Sequence, residues 1–386
     1  MFSPKNIAQF AEIETPFYYY DLELLKKTLE ACANEAKAYK YHVHYALKAN
    51  FNENVLKTIQ EFGFGADCVS GAEVEKAIEC GFSPNKVVFA GVGKSDKEIN
   101  KALDLDIFAF NVESVQELEV INELAKAKSK IAQVALRINP NVDAHTHANI
   151  TTGLDENKFG INSWDLPLCA SVLRNSENIK FLGIHFHIGS QITNLEVFKH
   201  LCIKVNEFSA WFEERGFTLK VLNVGGGLGI DYMNPNNQIP DFKEYFKIFA
   251  EFLNVGPHQE VHFELGRALV GQCASLISRV LYVKLGRKKN FIILDAGMTE
   301  LMRPALYQAY HQVENLTRID VEKTVKYDVV GPICESTDSF GKEILLAETQ
   351  RGDLFAIRST GAYGEVMASN YNLRPSIVHV YDNEVK

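Results

Sequence analysis

The chain has 386 residues, 46% of them hydrophobic, enough for a large core and more than one domain usually holds. Its 40 basic against 49 acidic residues give a formal charge of −9, which excludes the basic footprint of a nucleic-acid binder and leaves any anionic ligand to a few arginines or backbone amides. Cys32, Cys68, Cys80, Cys169, Cys202, Cys273 and Cys334 are scattered and form no C-x-x-C pair, which argues against a disulfide frame or zinc site, and there is neither an apolar leader core nor a membrane-length apolar run. A soluble cytoplasmic protein is expected.

After a short lead, TPFYYYD (15–21) reads as a strand and 22–38 as a helix, with Leu25, Leu29, Cys32 and Ala36 at helical spacing. YHVHYALKAN (41–50) follows, with β character over 42–47 and then a lone Lys48. Val55, Leu56, Ile59 and Phe62 share a helical face that Gly63 stops. GADCVS (65–70), VVFAG (87–91) and IFAFNV (107–112) are strands, each leading into a serine with glutamate three residues on: Ser70/Glu73, Ser95/Glu98 and Ser114/Glu117. Such boxes satisfy the orphan amides of a helix start, so these are successive βα units. The alternation continues through QVALRINP (133–140), FLGIHFHIG (181–189), VLNVGGG (221–227) and VHFELG (261–266), with a helix carrying Val197, Leu201, Val205, Phe208 and Phe212 between.

Eight such apolar strands covered by helices imply a closed (β/α) barrel of the TIM type, favoured over an open doubly wound sheet because no Rossmann fingerprint occurs. From about Cys273 the texture changes to strands joined by short polar turns: LISRVLYVKL, NFIILDAG, VKYDVVGP, EILLAE, DLFAIRS and SIVHVYDNE. The expected organisation is a barrel over 22–266 and a sandwich- or barrel-like β domain over 1–21 and 267–386, the N-terminal strand completing it.

A barrel places its chemistry at the C-terminal ends of its strands and often binds phosphate after strands seven and eight. Lys48 follows strand one, Gly225, Gly226 and Gly227 follow strand seven, and Glu264, Gly266 and Arg267 close strand eight. An amine, amides that approach an anion without a Cβ, a cation and a carboxylate together are what a pyridoxal phosphate site needs. On strand six His185 and His187 share a face, and the ring at the strand end could stack on a flat cofactor, with Ser190 beside it as a phosphate donor. The competing reading is a metal held by the H-x-H pairs at 42–44 and 185–187; it lacks a suitable aspartate at strand eight, so no metal is expected. HTH (145–147) reads as a solvated loop. Taken alone, Cys334 reads as a small buried thiol.

YALKAN, HIGSQ, GGGLG, RPALYQAYH, GPICES and GAYGEVMASNYNLRP occur in order over nearly the whole chain. Together they resemble the diaminopimelate branch of the barrel-plus-β-domain family of pyridoxal phosphate decarboxylases. The resemblance implies that Lys48 holds the cofactor, that His187 stacks on its ring and that Glu264 meets the pyridine nitrogen. It implies Asp67, Ser190, Gly226, Gly227, Gly266, Arg267 and Tyr363 as further cofactor contacts, and Arg267, Arg303, Tyr307, Glu335 and Tyr363 around an amino-acid substrate. Cys334 is implied as proton donor, reaching the site with Glu335 from the partner subunit of a homodimer. Leu265 departs from the family's usual proline. The alternatives are a carboxynorspermidine, ornithine or arginine decarboxylase, a racemase, which would need a second base opposite Lys48, or a pyridoxal-binding regulatory protein without catalysis, against which the intact Lys48, Cys334 and Glu335 argue.

Overall fold

The computed structural model describes residues 2–142 and 158–384, so the histidines at 145 and 147 lie outside the described residues. The chain divides into two compact units, one of residues 28–229 and 240–269, the other of 1–27, 230–239 and 270–386. Residues 230–239, expected within the barrel stretch, group with the second unit, where Arg358 donates to Asn236 Oδ1 (3.0 Å) and Arg303 lies over the Tyr232 ring. No helix among the described residues is long and apolar enough to cross a membrane.

The chain opens with a helix, Pro4–Ala11, that the sequence reading leaves as a lead, followed by strand β1 (Phe17–Tyr20). Ser3 caps that helix by accepting from the Asn6 amide, Pro4 fixes its first turn, and Phe10 anchors it in the core. The barrel strands are β2 (His42–Ala46), β3 (Gly65–Cys68), β4 (Val87–Phe89), β5 (Ala109–Val112), β6 (Ala132–Arg137), β7 (Ile179–His185), β8 (Val221–Asn223) and β9 (Glu260–Leu265). They close as a parallel cylinder, β9 pairing with β2.

Helices follow the strands where the Ser-x-x-Glu signals place them. Ser70, Ser95 and Ser114 each accept from the amide three residues on. Only at Ser95 is the box reciprocal. Glu73 and Glu117 instead reach past the cap to the amides of Val69 (2.7 Å) and Glu113 (2.8 Å), tying each helix start to the exit of the preceding strand. Strand seven of the sequence reading stops at Asn223, and its glycines form the turn beyond it.

The second unit is one hydrogen-bonded set of eight strands. β10 (Ala274–Leu285), β11 (Asn290–Leu294), β12 (Val313–Asn315), β13 (Val325–Val330), β14 (Ser339–Leu346), β15 (Leu354–Ile357) and β16 (Val378–Tyr381) join β1. The path runs β12-β15-β10-β11-β13-β14, and β1 pairs antiparallel with β10 and parallel with β16. The N-terminal strand thus completes the β unit, and it is buried at all four residues. Phe10, Phe17, Tyr19, Ile277, Leu354 and Val380 form its apolar core.

Candidate active site

Glu264 is a buried carboxylate held by three side chains of the barrel. Its Oε1 accepts from the amides of Asn111 (2.9 Å) and Asn223 (2.8 Å), and His185 Nε2 lies 2.9 Å from Oε2. These groups come from β5, β8 and β7, and β5 is no neighbour of β9, so the network crosses the barrel interior. Burial alone would raise the Glu264 pKa, but the contact with His185 and the nearby Lys48 outweigh it and hold the carboxyl well below its usual range. Sequence reasoning singles out Glu264 but misses both asparagines, because an amide within a strand carries no motif. It also places His185 and His187 together, whereas β7 ends at His185. The two rings do different things: His185 braces Glu264, and His187 Nδ1 accepts from the Gly226 amide at 3.4 Å. Desolvation, then the charges of Lys48 and Arg137, keep His187 neutral at ordinary pH.

Lys48 follows β2 in a single 3-10 turn, Leu47–Ala49, rather than ending the strand itself. Its Nζ donates to Asp67 Oδ2 at 3.1 Å, from the end of the adjacent β3. Asp67 is fully buried and its Oδ1 has no hydrogen-bond partner among the described residues. Burial first, then the charge of Glu264, push its pKa up to about 7 in spite of Lys48. Gly266 lets this lysine turn pack against the end of β9: a Cβ there would stand 3.0 Å from that of Ala49 and 3.2 Å from that of Ala46. Leu265 closes β9 in register with Tyr45 and is buried, so leucine at this position continues the ladder.

Three rim loops meet beside it. Arg267 donates to Ser190 Oγ at 3.1 Å, and the Ile192 amide donates to Gly227 O at 2.8 Å. Gly227 adopts φ +112°, and a Cβ at Gly226 would lie 1.9 Å from the Glu264 carbonyl oxygen. Only glycine lets that turn sit so close to the end of β9. The rim thus brings together Lys48, Asp67, His187, Ser190, Gly226, Gly227, Glu264, Gly266 and Arg267.

The remaining expected residues belong to the β unit. Arg303 is buried; its Nε donates to His311 Nε2 (3.2 Å), whose Nδ1 lies 2.8 Å from the Arg358 carbonyl. Tyr307 ends the same short helix, Arg303–Tyr307, half-buried. Tyr363 is held at φ +56°, a left-handed conformation rare for a bulky side chain. Cys334 is not the buried thiol that its residue type suggests: it is exposed, while the other six cysteines are buried. Glu335 beside it is exposed and accepts from the Tyr371 hydroxyl at 2.8 Å. The loop carrying both is braced by Asp338, which accepts from the amides of Ile333 and Met298, each at 2.7 Å.

The barrel set fits pyridoxal phosphate. It offers an amine, a glycine turn next to a serine–arginine pair, and a buried carboxylate whose network leaves it anionic to face a ring nitrogen. A family model described as "Pyridoxal-dependent decarboxylase, pyridoxal binding domain" matches residues 22–271. The chain is 60% identical over 370 residues to a diaminopimelate decarboxylase of Bacteroides thetaiotaomicron, covering 95% of each. It is 39% identical to that of Aquifex aeolicus, over 98% of this chain and 88% of the relative. The crystal structure of diaminopimelate decarboxylase from Helicobacter pylori complexed with L-lysine superposes with a TM-score of 0.91 at 38% identity, covering 97% of this chain and 93% of that one. The chain therefore belongs to the pyridoxal-dependent decarboxylase family, in its diaminopimelate decarboxylase branch.

Proposed function

We propose that the chain decarboxylates meso-2,6-diaminopimelate to L-lysine and CO2 with pyridoxal 5'-phosphate as cofactor, the last step of lysine biosynthesis. One observation carries the reading: Lys48, the braced Glu264 and the Ser190–Arg267 pair stand on one barrel rim, in a chain 60% identical to a diaminopimelate decarboxylase. Bound there, the cofactor supplies an aldehyde for the substrate amine and a cationic ring that takes up the electron pair left by departing CO2.

Lys48 provides the amine that anchors the cofactor between turnovers, with Asp67 as its partner. Glu264, kept anionic by Asn111, Asn223 and His185, keeps the ring nitrogen protonated. His187 would flank the ring of a bound cofactor, while Ser190, Gly226, Gly227, Gly266 and Arg267 would hold its phosphate. Tyr363 would serve both cofactor and substrate. Cys334 delivers a proton to the α-carbon as general acid. Arg303 clamps the distal carboxylate of the substrate and Glu335 its distal amine, with Tyr307 and Arg267 alongside. Charged hydrogen bonds contribute about 1.5–3 kcal/mol each, and an arginine left without its carboxylate disfavours lysine and ornithine as substrates.

Cys334 and Glu335 act in the site of a second copy, so the working unit is a cytoplasmic homodimer. What supports this is the exposure of both side chains on a loop braced from within by Asp338. The test is the absorbance spectrum of the purified protein before and after adding meso-diaminopimelate. The cofactor's visible band should be present and should change as lysine forms; a protein without that band, which leaves the substrate intact, rejects the proposal.

A further inference from the structure

The opposite end of the barrel holds a second polar cluster, built by the first H-x-H pair and the start of β9. In register, His42 lies opposite His262 and His44 opposite Glu264. His42 and His262 therefore share the inward face two residues, about 7 Å of strand, below the Glu264 carboxylate. His262 is only 3% exposed; its ring stacks with His42 (centroids 4.6 Å apart) and with Phe108 (5.4 Å). A cavity of about 640 Å³ opens onto His42, Glu260, His262 and Phe108.

The hydrogen bonds of the cluster have a fixed direction. The Lys86 carbonyl can only accept, so His44 Nδ1, 3.0 Å away, carries a proton. With one proton per ring, His44 Nε2 accepts, and His262 Nδ1, at 2.8 Å, is the donor. The His262 Nε2 lone pair is then bare. Among the described residues that atom is buried without a hydrogen-bond partner, and it faces Glu260 Oε2 across 3.5 Å. With His262 neutral, its buried Nε2 and the partly exposed Glu260 carboxylate present two electron-pair donors to one point, which a cation would join. Lys220 does not fill that role, since it approaches the other carboxylate oxygen, Oε1, at 3.6 Å.

Donor atoms around a tetrahedral ion stand roughly 3.4 Å apart, close to the gap found. His42, whose ring is exposed, supplies a third donor, all three ligand atoms lying within 4.8 Å of one another. We propose that His42, Glu260 and His262 bind one first-row divalent cation of the zinc type, with a water from the cavity as fourth ligand. Two imidazoles and one carboxylate suit zinc better than magnesium or calcium. The ion would clip the seam where β2 and β9, the first and last barrel strands, meet; His44 and His262 across it are 218 residues apart in the chain. Its contribution is to barrel closure, away from the rim that carries Lys48.

The test uses cofactor-loaded, chelator-treated enzyme titrated with zinc chloride, followed by calorimetry and by Tm. One zinc per chain and a rise in Tm are expected. Binding should weaken at least about tenfold in both His42→Ala and Glu260→Gln. It should be retained in the His145→Ala/His147→Ala double variant, which removes the H-x-H sequence at 145–147. Absence of a saturable site, less than tenfold weakening in either single variant, or loss of binding in the double variant overturns the proposal.

Discussion

Asn111 and Glu264, on strands that are not neighbours, are joined across the barrel interior by a 2.9 Å hydrogen bond. With Asn223 at 2.8 Å and His185 at 2.9 Å, it gives one buried carboxylate three donors from three other strands. Burial would otherwise favour the neutral acid, which cannot pair with a protonated ring nitrogen.

Replacing Asn111 by alanine should therefore weaken the site through Glu264. One hydrogen bond to a charged group is worth about 1.5–3 kcal/mol, so turnover should fall about 10- to 100-fold. The native pKa of Glu264 lies below its unfolded value of 4.5, so its stabilisation is complete above that value and is lost as pH falls through the native one. Asn111→Ala raises the native pKa, so the loss below pH 4.5 should be smaller and should level off at a higher pH, readable by urea denaturation between pH 2 and 6. An unchanged acid limb would show that Asn111 does not hold the charge.

Asp67 behaves in the opposite sense. Its native pKa is raised to about 7 against an unfolded value of 3.8, so between those values the native state binds the extra proton. Stability of the cofactor-free protein should fall as pH rises from 4 to 7, by at most about 1.4 kcal/mol per unit, and level off above. Asp67→Asn should flatten that slope, whereas an identical slope in the variant would assign it to another group.

The barrel was legible because its strands are buried apolar runs and its early helices begin at serines with a glutamate three residues on. The polar spine inside it was not. Asn111 and Asn223 meet Glu264 from 153 and 41 residues away, and nothing local marks them. His185 and His187 looked alike because period-two spacing puts them on one face, but the strand ends between them. β12, of three residues, and the eight-residue helix Pro4–Ala11 are too short to show a period, although Ser3 and Pro4 signal the helix start. Cys334 looked like core, since a free thiol is usually buried, and only its place in the Asp338-braced loop shows otherwise.

Arg303 is oriented by His311, which in turn is fixed by the Arg358 carbonyl. Lysine at this position keeps the charge but loses the planar fork. Arg303→Lys should lower kcat/KM for meso-diaminopimelate about 10- to 100-fold, chiefly through KM. Equal KM values for variant and wild type would remove Arg303 from substrate recognition.

Cys334→Ala should bind substrate but turn over about 10²- to 10⁴-fold more slowly. Lys48→Ala should lose both turnover and the cofactor's visible absorbance. If each site draws Cys334 from a second copy, mixing the two inactive variants under subunit exchange should restore about a quarter of wild-type sites. No recovery on mixing, with exchange verified, would place both residues in one subunit's site.

The most direct measurement is CO2 release with product identification on a panel of meso-diaminopimelate, lysine and ornithine. Equimolar CO2 and L-lysine from meso-diaminopimelate are expected, with the other two amino acids nearly inert. Comparable CO2 from lysine or ornithine, or none from meso-diaminopimelate with cofactor bound, would contradict the assignment.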